Sequence, residues 1–220
     1  MKLEGVTLVC VEGRPDWKPS MRAMAHCLKQ ELDFGRALYV SPANELPEDP
    51  AWKLVDWREC PRMDYHGYNE FILRGLPALI ETSHCLLIQS DGFITHPESW
   101  DPGFLQYDYI GAPWPRAWFF MGQGRVGNGG FSLRSKRLLD AAARLPYPAA
   151  CNTCPDVRLE DQVICVGGRP ALESQGIVFA PPELAGAFSL DLSQPTEWAV
   201  DKPFGRHWQG HDLPEPAGAG

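Results

Sequence analysis

Four short segments of this 220-residue chain carry side chains able to hold a cation, an anion or a proton. In LLIQSDGF, Asp91 follows an apolar run. Ligands of open α/β sheets bind where strands give way to loops, and a carboxylate there can hold a hard divalent cation. Strand alternation puts Gln89 and Asp91 on one face and Ser90 on the other, and an amide so placed can bond a ribose hydroxyl. An Asp-Gly pair is also a common turn former. The second segment, GRVGNGGFSL, sets three glycines around Asn128. Such glycines let the backbone approach a ligand or take positive φ, although a surface hairpin has the same composition. Arg134, just beyond, can face a phosphate or cap a sheet edge. In LEDQVIC, Glu160 and Asp161 open a helix. Acids there complement the helix dipole, and a carboxylate with a suitable pKa can also act as a general base. The fourth segment, PFGRHWQGH, offers His207 and His211; neutral imidazole is a good ligand for Mn²⁺, while lone histidines are commonly structural.

Further candidates surround these. Glu12, Arg14 and Trp17 follow the first apolar run, and Arg14 can pair with a phosphate or form a surface salt bridge. Tyr107, Tyr109 and Trp114 can offer aromatic faces to a sugar or pack in the core. CNTC (151–154) with Cys165 lacks the second ligand pair of a structural zinc site. No phosphate-binding Gly-x-x-x-x-Gly-Lys loop, serine nucleophile elbow or dinucleotide glycine fingerprint is present.

The elements that must position these groups are legible from hydrophobic pattern. A continuous apolar run at 6–12 predicts a strand covered on both faces, 36–41 and 52–57 read as the second and third strands, and HCLLI gives the most buried-looking one. Met21, Met24, Leu28 and Leu32 share one helical face, and Tyr68 to Ser83 is a second helix interrupted by Pro77. The order β-α-β-β-α-β is that of an α/β sheet. The second half is looser, with helices from about Lys136 to Leu145 and near LEDQVICV, then the segments GIVFAP and AGAFSLDL. One domain over 1–212 and a disordered tail over 213–220 are expected.

Composition narrows the function. Hydrophobic residues make up 44% and charged ones 22%, which suits a globular protein with a real core. A net charge of -8 excludes nucleic-acid binding by a general positive field. The N-terminus reads as a strand and not a signal peptide, no membrane span is visible, and a cytoplasmic location is the default.

In their order, LLIQSDGFI, YDYIGAPW, GNGGFSLRS and PFGRH resemble a microbial family of GT-A-type glycosyltransferase-like proteins, recorded mostly as a domain of unknown function. The resemblance runs from roughly Tyr68 to His207, with a weaker match at the first strand and Arg14. It implies a GT-A-like, Rossmann-related fold: a mixed, mostly parallel sheet flanked by helices. It also implies transfer of a sugar from a UDP- or GDP-linked nucleotide sugar to a sugar or other hydroxyl acceptor. Gln-Ser-Asp stands where the family's enzymes carry Asp-x-Asp, which makes Asp91 the direct ligand of Mn²⁺ or Mg²⁺ and leaves Gln89 in place of an acid. His207 becomes the second ligand, Asp161 the base and Glu160 its neighbour, an arrangement that suggests inversion. The resemblance assigns nucleotide contacts to Glu12, Arg14, Tyr68, Asn69, Gln89 and Ser90, and sugar or acceptor contacts to Trp114, Asn128, Gly129, Gly130 and Arg134. Two other readings stay open. A nucleotidyltransferase would carry a glycine-rich basic first loop, unlike GRPDWKPS; a non-catalytic nucleotide- or sugar-binding module is compatible with Gln89.

Overall fold

A computed structural model describes residues 1–43, 45–117, 126–146, 159–193 and 196–213. Strand β1 (Lys2–Val11) lies inside the main sheet, and its Val6, Leu8, Val9 and Cys10 are fully buried. Burial on both faces explains why the run shows no polar alternation. Leu8 and Cys10 join Met21, Met24 and Cys27 of helix α1 (Lys18–Leu28). Val9 and Val11 face the other way, toward Ile72 of α2 (Tyr65–Arg74) and Leu139 of α3 (Lys136–Ala142). Strands β2 (Asp33–Ser41) and β4 (His84–Ile88) flank β1 in parallel, and β3 (Val55–Glu59) extends the sheet beyond β2. Beyond β4 come β7 (Ser132–Ser135), antiparallel to it, and then β6 (Tyr109–Gly111), giving the order β3-β2-β1-β4-β7-β6. The expected sheet, mixed, mostly parallel and flanked by helices, is therefore present.

A second sheet of three short strands, β5 (Gly92–Ile94), β9 (Gly205–His207) and β8 (Ser189–Asp191), abuts the carboxyl end of β4. Helix α4 (Glu160–Gln162) runs into a wide π turn, Val163–Gly167, followed by α5 (Arg169–Glu173) and α6 (Pro182–Phe188).

Boundaries differ from the hydrophobic pattern where side chains cap elements. The third strand begins at Val55 because Asp49 accepts a bond from Ala51 N (3.0 Å) and holds Pro50–Leu54 in a 3₁₀ turn. The second helix starts early, capped by Asp64 on Gly67 N (2.8 Å). It stops at Arg74, and Leu76–Leu79 form a separate short 3₁₀ turn around Pro77. Helix α3 ends at Ala142, three residues short of the expected end. Cys10, Cys27, Cys60, Cys85 and Cys165 are free and buried; the CNTC segment lies outside the described residues. Among the described residues no helix is long and apolar enough to cross a membrane.

Candidate active site

The carboxyl end of β4 builds the centre of a cleft. Gln89 and Gly92 exchange backbone bonds (3.0 and 3.2 Å) and close a tight turn with Ser90 and Asp91 at its tip. Alternation therefore stops at Ile88, and Ser90 does not point away as expected. It lines the same cleft as Gln89 and Asp91, and its Oγ accepts from Arg14 Nη2 at 2.9 Å. Trp208 N and Leu213 N donate to the carbonyls of Asp91 and Ser90 (both 2.9 Å), and Gly210 N to Asp91 Oδ2 (2.9 Å). Leu213, expected to begin a disordered tail, is thus tied to the turn; residues 214–220 lie outside the described residues.

The cleft has two lobes of about 330 and 430 Å³ that share Tyr65, Tyr68, Gln89 and Asp91. Glu12 and Arg14 line the first lobe. The buried Glu12 carboxylate takes both the backbone N–H of Arg14 (2.8 Å) and its guanidinium (2.9 and 2.7 Å). Arg14 is half exposed and remains able to meet an anion from its outer side.

The second lobe holds the pair expected to bind metal. His207 Nε2 stands 3.6 Å from Asp91 Oδ1, too far for a hydrogen bond. Two donors each ~2.1 Å from a common cation lie about 3–4 Å apart, so the pair fits a divalent ion. Among the described residues no group of three or more His, Cys, Asp or Glu is arranged to hold one, so an ion here needs further ligands from substrate or water. On its other side, His207 Nδ1 is buried without a hydrogen-bond partner and faces Asp191 Oδ2 at 3.7 Å. A carboxylate behind a histidine is the usual support of a metal-binding imidazole. Burial lowers the His207 pKa, but the charges of Asp191, Asp91 and Asp161 outweigh it and hold the ring above its ordinary value. Asp191, missed in the sequence, is fixed by Asn128 Nδ2 (2.5 Å) and Ser193 N (2.9 Å). Asn128 makes this bond from a left-handed backbone, φ 59°.

The glycines beside Asn128 make room for the protein's own side chains. A Cβ on Gly129 would overlap Glu160, and one on Gly130 would overlap the ring of His207. Gly130→Ala is therefore expected to displace His207 and cost about 1–3 kcal/mol in a urea unfolding curve; an unchanged midpoint would mean the ring yields freely.

Arg134, assigned to sugar or acceptor, stands behind the wall of the cleft. It is fully buried and absent from both linings. Its Nη1 and Nη2 donate to the two oxygens of Glu160 (both 2.7 Å), and Nε to Ser132 Oγ (2.9 Å). Asn69, assigned to nucleotide, spends its amide internally: Oδ1 accepts from Glu160 N (2.8 Å), and Nδ2 donates to Tyr65 O (2.7 Å). This clamp leaves Asp161 in the second lobe, where Gly129 N (3.1 Å) and Gln162 N (2.7 Å) donate to its oxygens. Burial first, and the neighbouring Glu160 charge second, raise its carboxyl from 3.8 to about 6. Gln89 Nε2 donates to the Tyr68 hydroxyl (2.6 Å), fixing both at the junction of the lobes. Trp114, Gly129 and Gly130 line the second lobe. Tyr109 is core, with Arg134 over its ring, Tyr107 and Trp17 pack against that core, and His211 stacks on Trp208 (4.0 Å).

The fold has known counterparts. The chain is similar in fold to the galactosyltransferase LgtC solved with donor and acceptor sugar analogues, at 10% identity and TM-score 0.54, over 96% of this chain and 87% of that one. It is similar to a glycosyltransferase involved in glycosylation of the major capsid of PBCV-1, at 15% identity and TM-score 0.51, over 92% of each chain. A mannosyltransferase from Pyrobaculum calidifontis, solved with GDP-Man and Mn²⁺, aligns at 12% identity and TM-score 0.49 over 81% of this chain, which spans 55% of that one. For the first two, at such identities, the likeness is one of fold, the GT-A type, and not of chemistry. No curated protein matches by sequence. One family does match, over residues 58–207, more than half of the chain and most of the cleft's walls: the protein belongs to the family described as "Protein of unknown function (DUF5672)".

Proposed function

We propose that the protein transfers a sugar from a UDP- or GDP-linked nucleotide sugar to a hydroxyl acceptor, with inversion and with Mn²⁺ or Mg²⁺. The observation that carries this reading is geometric: Asp161, held by Gly129 N, lies in the lobe that also contains the facing pair Asp91 and His207, and burial raises its carboxyl to about 6. A base must have its pKa close to its working pH, and Asp161 meets that condition. The first lobe, with Arg14 and Tyr65, suits the nucleoside diphosphate, and the second suits the sugar and its acceptor. A divalent cation held by Asp91 and His207 supplies charge against the leaving diphosphate when bound. Asp161 takes the proton of the acceptor hydroxyl as its oxygen bonds to the anomeric carbon and the bond to the diphosphate breaks. Glu160, Arg134 and Asn69 hold Asp161 in place, and Asp191 steadies the His207 ring.

The test is calorimetric titration with UDP and GDP, with and without Mn²⁺. Binding of one nucleotide, tightened by Mn²⁺, is the expected result. Failure of both under every metal condition removes the reading. Metal-dependent binding with no turnover on any acceptor would favour a non-catalytic module, the reading that Gln89 in place of an acid supports.

A further inference from the structure

The charge balance of the second lobe selects what can enter it. Four carboxylates line it, those of Asp91, Glu160, Asp161 and Asp191, and among the described residues no lysine or arginine does. Among the described residues its one cationic side-chain candidate is His207, already between Asp91 and Asp191. Arg134 lies behind the wall and is consumed by Glu160, so it cancels that charge and offers nothing to a ligand. The other polar groups of the lining, among them Asn128, Gln162 and Gln209, are neutral, and Trp114 adds an apolar face. Charges in a partly desolvated cleft interact several times more strongly than in water. A divalent cation on Asp91 and His207, where the transferase reading places it, offsets two of these charges, and a carboxylate brought into this lobe would still meet a net negative wall, with no basic side chain among the described residues to receive it. Repulsion of this kind is an effective means of rejecting a competing substrate.

Building on the transferase reading, we infer that both the sugar transferred and the acceptor unit are uncharged, and that sugars bearing a carboxylate or phosphate are excluded on charge. The first lobe differs, since Arg14 stands there at the edge of the nucleotide site. Anionic groups are therefore tolerated at the diphosphate and refused at the sugar.

The experiment compares hexose and uronate donors that differ only at C6. Bare UDP, UDP-glucose and UDP-glucuronate, and bare GDP, GDP-mannose and GDP-mannuronate, are titrated in Mn²⁺ near neutral pH. Any stereochemical misfit is common to both members of a pair, so their ratio reports the carboxylate. The neutral member should bind at least about ten-fold more tightly, equal to ~1.4 kcal/mol, and the uronate more weakly than the bare diphosphate. Equal or tighter uronate binding in the native protein overturns the inference and leaves the transferase reading standing. If neither bare nucleotide binds, the transferase reading falls, and the inference falls with it.

Discussion

Asp161→Asn is expected to reduce transfer by about 10²–10⁴-fold, the usual contribution of a general base, while nucleotide binding persists. The amide keeps the size of the carboxyl but cannot take a proton at neutral pH. With the native residue, kcat should rise with pH through about 6 and then level, following ionisation of Asp161. The variant should lose that limb; a limb that survives unchanged would assign the titration to another group, and retained turnover would remove Asp161 from the role. Stability supplies an independent readout. The folded-state pKa is raised from 3.8 to about 6, so between these values the folded protein keeps a proton that the unfolded chain has released. Native stability therefore falls as pH rises through this window, and the charged carboxyl costs the fold at neutral pH. Discounted for its partial exposure, the cost is about 1–2 kcal/mol. Relative to the native protein, Asp161→Asn should thus gain about that much stability between pH 4 and pH 7 in urea unfolding. The relative measure matters because Asn also loses one of the two backbone bonds from Gly129 and Gln162.

The parts of this site that sequence reveals are those with local signatures. Continuous apolar runs reported β1, β2 and β4, and the Asp-Gly pair after β4 marked both the turn and the place where ligands bind. Glu12, Gln89 and Asp91 were visible at strand ends and Asp161 at a helix start, whereas the roles of Asp161 and His207 came from the family resemblance; all five line the cleft. Asp191 had no such mark. Its importance depends on β8 lying parallel to β9, which sets Asp191 opposite His207, a pairing across 15 intervening residues. Ser90 was misdirected because alternation was carried past the end of the strand into a turn. Arg134 and Asn69, assigned to ligand by resemblance, have internal partners that no local pattern announces, although Asn69 also lines the second lobe. A polar side chain in a short segment looks available to a ligand until its distant partner is known, and Glu160 is the partner of both.

The second large effect tests that hidden partner. Arg134→Met should destabilise the fold by about 3–5 kcal/mol, because it strands the Glu160 carboxylate in a buried site without its counter-charge. Adding Glu160→Leu removes the stranded charge, and the double variant should recover most of the loss despite carrying more changes. Replacing a whole buried ion pair with apolar groups is often nearly neutral, and a non-additive cycle between two touching residues is the signature of direct coupling. Additive losses in urea unfolding would instead mean that Arg134 acts through Ser132 and the Gly129 carbonyl alone. The double variant also separates folding from chemistry. Glu160 raises the Asp161 pKa and Arg134 lowers it, with the Glu160 effect the larger of the two. Removing both charges should therefore move the acid limb of kcat to lower pH in a protein that still folds. A limb that stays in place would restrict the pair to holding the wall of the cleft; a limb that moves would make it part of how this chain sets its base near pH 6.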